Sequence, residues 1–130
     1  MTRRTHIAVG IAATLPLISY IPFYAFLGCI GATIPDIDIK LGLKHRTITH
    51  SLIMLLNSTL LLQFLDKYIA LVFFINFTTH LILDSLTKMG VPLFYPFSKK
   101  YYGFKFIKTG SSEDLFLSLL TIYLIMSFII

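Results

Sequence analysis

The stretch "IALVFFINFTTHLIL", residues Ile69 to Leu83, carries a single ionisable side chain, His80, in an otherwise apolar run. Runs of similar character extend from Ser51 to Leu65 and from Leu115 to Ile130. One such run fits the buried helix of a soluble protein, but three in one short chain predict membrane helices. Each is at or slightly below the ~17 residues that cross the hydrocarbon layer, so we expect tilting, local thinning or partial insertion.

The composition of the whole chain also predicts a membrane protein. Hydrophobic residues make up 56% and charged residues 13% of the 130 residues, whereas a soluble domain is about a quarter charged. A chain of this length forms a single domain, residues 1–130. The only cysteine, Cys29, excludes an internal disulfide and a cysteine-based zinc site, and we expect it to be a small packing residue.

The pattern predicts an all-α, polytopic bundle of about five membrane-embedded helices. Pro16 is expected to kink the first helix and Pro35 to end the second. Thr49 is the expected N-cap of the third helix, and Ser111 with Asp114 forms a capping box for the fifth. The predicted helices run from Thr5 to Tyr20, from Pro22 to Ile34, from Thr49 to Leu65, from Lys67 to about Lys88, and from Ser111 to the end of the chain.

Basic residues alternate between rich and poor connections along this pattern. Rich connections hold Arg3 and Arg4, then Lys40, Lys44 and Arg46, then Lys88, Lys99, Lys100, Lys105 and Lys108. Poor connections hold Lys67 alone or no basic residue. The positive-inside rule therefore predicts a multi-pass protein of the inner membrane with a cytoplasmic N-terminus and an external C-terminus. The same rule accounts for the net charge of +5, so we expect no nucleic-acid partner.

With this topology, nearly every histidine and carboxylate falls at the cytoplasmic ends of the helices. These residues are His6, Asp36, Asp38, His45, His50, His80, Asp84, Glu113 and Asp114, whereas Asp66 lies on the other side. A charge inside a membrane span costs roughly 2.5–3.5 kcal/mol and marks a functional group or one with a partner. The convergence of residues from distant parts of the chain is the main prediction from the sequence.

Two spacings within this set are informative. His80 and Asp84 are four residues apart and share one helix face, which fits either a ligand pair or a hydrogen bond between helices. Asp36 and Asp38 follow Pro35, where an extended or turned backbone aims both carboxylates in one direction. Two adjacent negative charges need a cation between them, although a solvated loop with an Asx turn fits this motif as well.

Taken together, these groups predict a site for one or two divalent ions. Their number exceeds the three or four ligands of one zinc ion. Imidazole and carboxylate without thiolate suit Zn²⁺ first, and also Mn²⁺ or Fe²⁺. Two ions would favour the hydrolysis of phosphoesters, and Arg46 with Lys44 nearby offers a guanidinium for a phosphate oxygen.

Several motifs occur in an order that resembles one known family. They are "THIAVG", "IPDID", "HRTITHS", "HLILDSLTKMG", and "PFS" followed by "GSSED". From Thr5 to Asp114 the chain is similar to the YdjM-like family of membrane-bound, metal-dependent hydrolases. That family is distantly similar to the zinc-dependent phospholipase C and P1 nuclease group of all-helical enzymes, whose HxxxD ligand pair looks like His80 and Asp84. The chain departs from the family at Thr47, where glycine is usual.

The resemblance implies roles for individual residues. The implied metal ligands are His6, Asp36, Asp38, His50, His80 and Asp84. Asp38 and His45 are the expected catalytic residues, and Arg46 and Glu113 are expected to bind substrate. The implied activity is that of a membrane-bound hydrolase acting on a phosphoester or lipid-linked substrate at the cytoplasmic leaflet.

Two other functions remain open from the sequence. An ion or proton transporter also places histidine and aspartate within a membrane, but here the ionisable groups gather at one face. A non-catalytic membrane protein can use a metal only to tie helix ends together, without an open coordination position. The sequence does not name the substrate or the oligomeric state.

The segment from Phe94 to Phe106 mixes aromatic residues with Lys99, Lys100 and Lys105. Aromatic residues favour the membrane interface, and lysines favour anionic headgroups. The segment is expected to anchor the protein to membrane lipid. A sharper hypothesis is that it borders the site and admits an anionic, lipid-like substrate from the inner leaflet.

Overall fold

The computed structural model describes residues 1–28, 30–42 and 44–130, and the side chains of 26–28 are left out of the description. The prediction for Cys29 lies outside these residues. Six α-helices occur in the described parts of the chain, with 3₁₀ turns at Leu15–Leu17, Ile34–Asp36 and Ile48–His50. The helices are α1 (Arg3–Thr14), α2 (Pro22–Gly28), α3 (Ile37–Lys40), α4 (Leu52–Leu65), α5 (Lys67–Ser85) and α6 (Ser112–Ile129). The all-α prediction is confirmed.

Helix α5 is the centre of the bundle. It packs against α1, α2 and α4, while α6 packs against α1. Leu55 of α4 and the α5 residues Phe73, Phe77 and Leu81 form the apolar core. On the α1 side, Gly10 lies so close to α5 that a Cβ there would overlap the side chain of Asn76. The ionisable residues of α5 are therefore held between three other helices.

The described side chains show an inverted distribution of polarity. The interior contains His6, His50, His80 and three aspartates with almost no exposure, whereas large apolar side chains of α4 and α6 face outward. Water-soluble proteins rarely bury so many ionisable groups. Two helices in the described residues, α5 and α6, are long and apolar enough to cross a membrane. At 12 and 14 residues, α1 and α4 are shorter than a full span.

Several helix ends differ from the sequence prediction. Helix α1 ends at Thr14 because Pro16 enters a 3₁₀ turn, and the helix after Pro22 ends at Gly28. Ser51, not Thr49, caps α4 by accepting a hydrogen bond from the Met54 amide. The predicted capping box of α6 does not form, because Ser111 makes no side-chain cap hydrogen bond.

Helix α5 ends at Ser85, where amide groups of a later segment of the chain donate hydrogen bonds to the carbonyl oxygens at the end of the helix. The Phe104 amide donates to the Ser85 carbonyl oxygen at 2.8 Å, and the Phe106 and Ile107 amides donate to Leu86 at 3.0 Å. The Tyr101 hydroxyl donates to the Arg46 carbonyl oxygen at 2.9 Å. The aromatic segment is thus hydrogen-bonded both to the C-terminal end of α5 and to the loop that contains Arg46.

Candidate metal centre

The loop between α2 and α4 brings three ionisable residues, Asp36, Arg46 and His50, into contact with side chains of α5. Pro35 opens a 3₁₀ turn that continues directly into α3, so Asp36 and Asp38 stand on helical rather than extended backbone. Arg46 adopts a left-handed conformation with φ of 56°, which costs a non-glycine residue about 1 kcal/mol or more and is common at functional sites. A second 3₁₀ turn then ends at His50, immediately before α4.

Asp36, His50, His80 and Asp84 form a buried cluster that can hold a metal ion. The Nε2 atoms of His50 and His80 are 3.2 Å apart. Asp36 Oδ1 lies 3.5 and 3.6 Å from these two nitrogens, and Asp84 Oδ2 lies 3.3 and 3.6 Å from them. A tetrahedron with metal–ligand bonds of ~2.0–2.1 Å has edges of about 3.3–3.4 Å. Five of the six distances between the donor atoms are therefore close to the edges of a tetrahedral coordination shell.

Hydrogen bonds on the far side of each imidazole orient the two rings. His80 Nδ1 lies 2.7 Å from the Ala32 carbonyl oxygen, so Nδ1 carries the proton and donates it. The Thr49 hydroxyl donates to Asp38 Oδ2 at 2.7 Å, which leaves its oxygen to accept from His50 Nδ1 at 3.0 Å. Partners of this kind fix the tautomer of metal-ligating histidines. Both Nε2 lone pairs consequently point into the cluster.

This arrangement needs positive charge at its centre. Two facing imidazole lone pairs repel each other unless a metal ion, or a proton on one ring, lies between them. In addition, Asp84 Oδ2 is buried and lies 3.3 and 3.6 Å from the two Nε2 atoms, so it has no donor from either ring when both Nε2 atoms are unprotonated, and leaving a buried carboxylate oxygen unpaired is costly. A divalent cation would satisfy all of these atoms at once.

The pKa of His50 reflects this environment. Burial lowers the pKa of His50, but hydrogen bonding and attraction to the carboxylates of Asp36 and Asp84 raise it more, so the net pKa lies above the ordinary value. For Asp36, burial raises the pKa, whereas His50, His80 and His6 lower it to below its usual range. The cluster therefore favours charged carboxylates, which is the form that binds a cation.

The other oxygen of Asp84 makes separate contacts. Oδ1 lies 3.1 Å from His6 Nε2 and 2.8 Å from Arg46 Nη2, and it also contacts the amino group of Met1. The His6 ring stacks on the His80 ring with centroids 3.7 Å apart. His6 therefore lies next to the four donors and contacts two of them, Asp84 and His80. It is not itself one of the four.

Arg46 is buried, and its two terminal guanidinium nitrogens contact the protein, whereas its Nε has no hydrogen-bond partner among the described residues. Besides Asp84, its guanidinium donates to the Thr87 hydroxyl at 2.6 Å and to the Gly90 carbonyl oxygen at 3.1 Å. Its side chain is only 3% exposed. The geometry thus gives Arg46 a clear role in holding the Asp84 carboxylate, and its predicted contact with substrate stays a prediction.

Asp38 and His45 form a dyad next to the four donors. Asp38 Oδ1 lies 3.0 Å from His45 Nδ1, and Oδ2 accepts from the Arg46 amide at 3.0 Å and from Thr49. Burial raises the pKa of Asp38, but these hydrogen bonds lower it more, so the net pKa is below its ordinary value. His45 Nε2 points back to Asp36 Oδ1 at 4.0 Å. Asp38, His45 and His50 are also close enough to share an ion.

A surface pocket of about 340 Å³ reaches this dyad and is lined by Asp36, His45 and Arg46 among other residues. Glu113, the other predicted substrate residue, is exposed at the start of α6 and accepts a hydrogen bond from the neighbouring Ser112 hydroxyl at 3.4 Å. Its neighbour Asp114 points inward instead, accepting hydrogen bonds from the Thr2 amide and the Thr5 hydroxyl. The predicted role of Glu113 stays a prediction, and the structure places it outside the cluster.

The chain can now be compared with known proteins. The family model of the YdjM inner membrane protein matches residues 1–130. The chain belongs to the YdjM inner membrane protein family. It is also 36% identical over 145 aligned positions to the "Uncharacterized protein YvsG" of Bacillus subtilis (strain 168), with 94% of this chain and 91% of that protein covered. No solved structure matches the chain. The expected likeness to the phospholipase C and P1 nuclease group therefore stays a prediction.

For this member of the YdjM family, the predicted convergence of distant residues is confirmed for the buried cluster. Sequence reasoning missed two groups that support it, namely the Thr49 hydroxyl and the Ala32 carbonyl oxygen. The position of Thr49, one residue before His50, is compatible with a contact to that ring, but it also fits the helix cap that the sequence predicts. The functions of the individual residues stay predictions.

Proposed function

We propose that the chain is a membrane-bound, metal-dependent hydrolase of a phosphoester or lipid-linked substrate at the cytoplasmic leaflet. The observation that supports it most is the four-donor cluster, in which the two Nε2 atoms and a buried carboxylate oxygen of Asp84 lie within 3.6 Å of one another. A divalent ion bound there would polarise a phosphoryl oxygen and activate water. The pocket lined by Asp36 and His45 gives such a site access to the surface.

Zinc is the proposed metal, with manganese or iron as alternatives. His50, His80 and Asp84 make up the three protein ligands of a catalytic zinc site. Asp36 is the most exposed of the four donors, at 7%, and it lines the pocket. Asp36 is then the donor that a substrate would approach and replace, because it borders the pocket.

His45 is the proposed general base or acid of the reaction. Its Nδ1 is held by Asp38, so Nε2 is left free to exchange protons near Asp36, and 31% of its side chain is exposed. Histidine is the side chain most often used for proton transfer in catalysis. Asp38 acts through His45 and through the loop that it ties together.

A structural metal site is the main competing function, since four protein donors saturate a tetrahedral ion. The two functions separate in the variant Asp36→Asn. For a hydrolase with its open position at Asp36, this variant keeps bound metal and loses most of its phosphoesterase activity. For a structural site, the variant loses metal, and the wild type shows no activity on any phosphoester.

The membrane arrangement is part of the proposal. We infer that the short helices α1, α2 and α4 enter the membrane beside the full-length α5 and α6, with the N-terminus in the cytoplasm. Single cysteines at Lys44 and at Lys67, in a Cys29→Ser background, should be labelled from the cytoplasmic and the external side respectively. Labelling of both positions from one side would contradict the arrangement.

The direct test of the function uses detergent-purified protein supplied with Zn²⁺, Mn²⁺ or Fe²⁺. We expect about one bound equivalent and hydrolysis of a phosphoester that is removed by chelation and restored by metal. The variant His45→Gln should retain the metal and lose activity by a factor of 10²–10⁴, the usual contribution of general acid–base catalysis. Full activity in His45→Gln would remove this residue from the mechanism.

A further inference from the structure

Asp36 borders a second pocket, whose lining does not include His45. This pocket has a volume of about 400 Å³ and lies between the start of α1 and the chain around α3. Arg3 and Asp36 line both this pocket and the one that reaches His45. The two pockets therefore meet at one basic residue and one residue of the proposed metal centre.

The walls of the second pocket are amphipathic. Its lining contains the isoleucines Ile7, Ile30, Ile34 and Ile37. Ile30 and Ile37 leave 54% and 46% of their surface exposed, so they offer apolar area to a ligand. Arg3 and Lys40 belong to the same lining, and both are exposed.

The two basic side chains are available to a ligand. Within the part of the chain that the structure describes, neither Arg3 nor Lys40 forms an ion pair, in contrast to the buried Arg46. Among the described residues that line the pocket, Asp36 is the only acidic one, and it faces the histidines of the cluster instead. Apolar walls with two uncommitted positive charges match one type of ligand, which is an anionic amphiphile.

We propose that this pocket binds an anionic phospholipid, with an acyl chain on the isoleucines and its phosphate between Arg3 and Lys40. The pocket has the size of an ordinary ligand site. A free phosphate would leave the isoleucines exposed, and a neutral lipid would leave the two charges unpaired. Arg3 and Lys40 are then specificity-determining residues that select a negatively charged headgroup.

The position of the pocket extends the proposed function, on which the following step rests. A lipid held here has its phosphate next to Asp36 and the polar part of its headgroup directed toward His45 in the adjoining pocket. Hydrolysis adds one water across the P–O bond, with the hydroxyl going to phosphorus and the proton to the leaving oxygen. The substrate class of the proposed hydrolase is therefore an anionic membrane phospholipid.

Lipid binding can be measured without any catalytic activity. The purified chain in neutral detergent is mixed with phosphatidylglycerol and, separately, with glycerol phosphate, and bound ligand is measured by native mass spectrometry. The test variant is Arg3→Gln/Lys40→Gln. The control is Arg4→Gln/Lys44→Gln, which removes the same charge from exposed neighbouring positions outside this pocket.

The wild type and the control are expected to bind phosphatidylglycerol and not glycerol phosphate. The test variant should bind about 30-fold more weakly, because each basic residue near a membrane surface contributes about 1 kcal/mol, or about fivefold. A second variant, Ile30→Asn, should weaken binding of the lipid while the protein unfolds at the same temperature, since Ile30 is already half exposed.

Two outcomes would refute the proposed binding of an anionic phospholipid in this pocket. Equal weakening in the test and control variants would show that only net charge matters, and equal binding of glycerol phosphate would show that the apolar walls play no part. Both results leave the metal centre and its activity on soluble phosphoesters unaffected. Conversely, selective lipid binding by a wild type that hydrolyses no phosphoester would support the pocket and refute the proposed function.

Discussion

The variant His80→Gln removes one of the two imidazole nitrogens that face each other in the cluster. Glutamine is similar in size and can still donate to the Ala32 carbonyl oxygen, which His80 contacts at 2.7 Å. It cannot present an imidazole lone pair 3.2 Å from His50. The change therefore acts on the metal-bound protein much more than on the metal-free protein.

The magnitude follows from the loss of one ligand. Removing a supporting group outside the ligand shell already costs 10–100-fold in metal affinity, and we take about 100-fold for a ligand. At a free metal concentration 100 times the Kd, bound metal stabilises the wild type by about 2.7 kcal/mol. The same metal concentration stabilises the variant by about 0.4 kcal/mol. At about 4 °C per kcal/mol for a chain of this size, the metal-induced rise in Tm should shrink by about 9 °C.

The assay is thermal unfolding in detergent, with chelator and with metal, for the wild type, His80→Gln and His45→Gln. His45 lies beside the cluster and is not one of its four donors, so His45→Gln should keep the full metal-induced shift. An unchanged shift in His80→Gln would refute the geometry of the site. Loss of the shift in His45→Gln alone would move the ion to the neighbouring Asp38–His45–His50 group.

Three further variants test other contacts. Asp84→Asn leaves the buried guanidinium of Arg46 without its counter-charge, so it should destabilise the fold by roughly 3–5 kcal/mol even in chelator. An unchanged Tm in chelator would count against the Arg46–Asp84 ion pair. Gly90→Ala places a Cβ 2.6 Å from the Tyr102 carbonyl oxygen at a position with positive φ, so the Tm should fall clearly in a melting experiment. An unchanged Tm would be inconsistent with this close approach of Gly90 to Tyr102. Asp66→Ala removes the side chain that caps α5 and should lower the Tm at neutral pH, whereas Asp66→Asn should retain most of the cap; equal losses would argue against a capping role.

The sequence was sufficient to predict the parts of the site that depend on helix geometry and on membrane energetics. His80 and Asp84 are four residues apart in an apolar run, so their common face followed directly. The high cost of charge in a membrane made their association with Asp36 and His50 a reasonable inference. The structure brings these four residues together.

The remaining features depend on tertiary contacts that have no sequence period. Glu113 and Asp114 are adjacent at the start of an apolar helix, and only the packing of α6 on α1 decides that Asp114 is the buried one. Thr49 looked like a helix cap, yet Asp38 competes for its hydroxyl and Ser51 becomes the cap. The pocket of isoleucines beside Asp36 also arises from residues of α1 and α3 that are far apart in the chain.

The central claim is that His50 and His80 bind one metal ion through their Nε2 atoms, together with carboxylate oxygen. X-ray absorption spectroscopy of the purified chain, loaded with one equivalent of Zn²⁺ and freed of excess metal, tests it most directly. We expect a first shell at ~2.0–2.1 Å with the outer-shell scattering of two imidazole rings. A shell of oxygen atoms alone, or loss of the zinc on desalting, would contradict the claim.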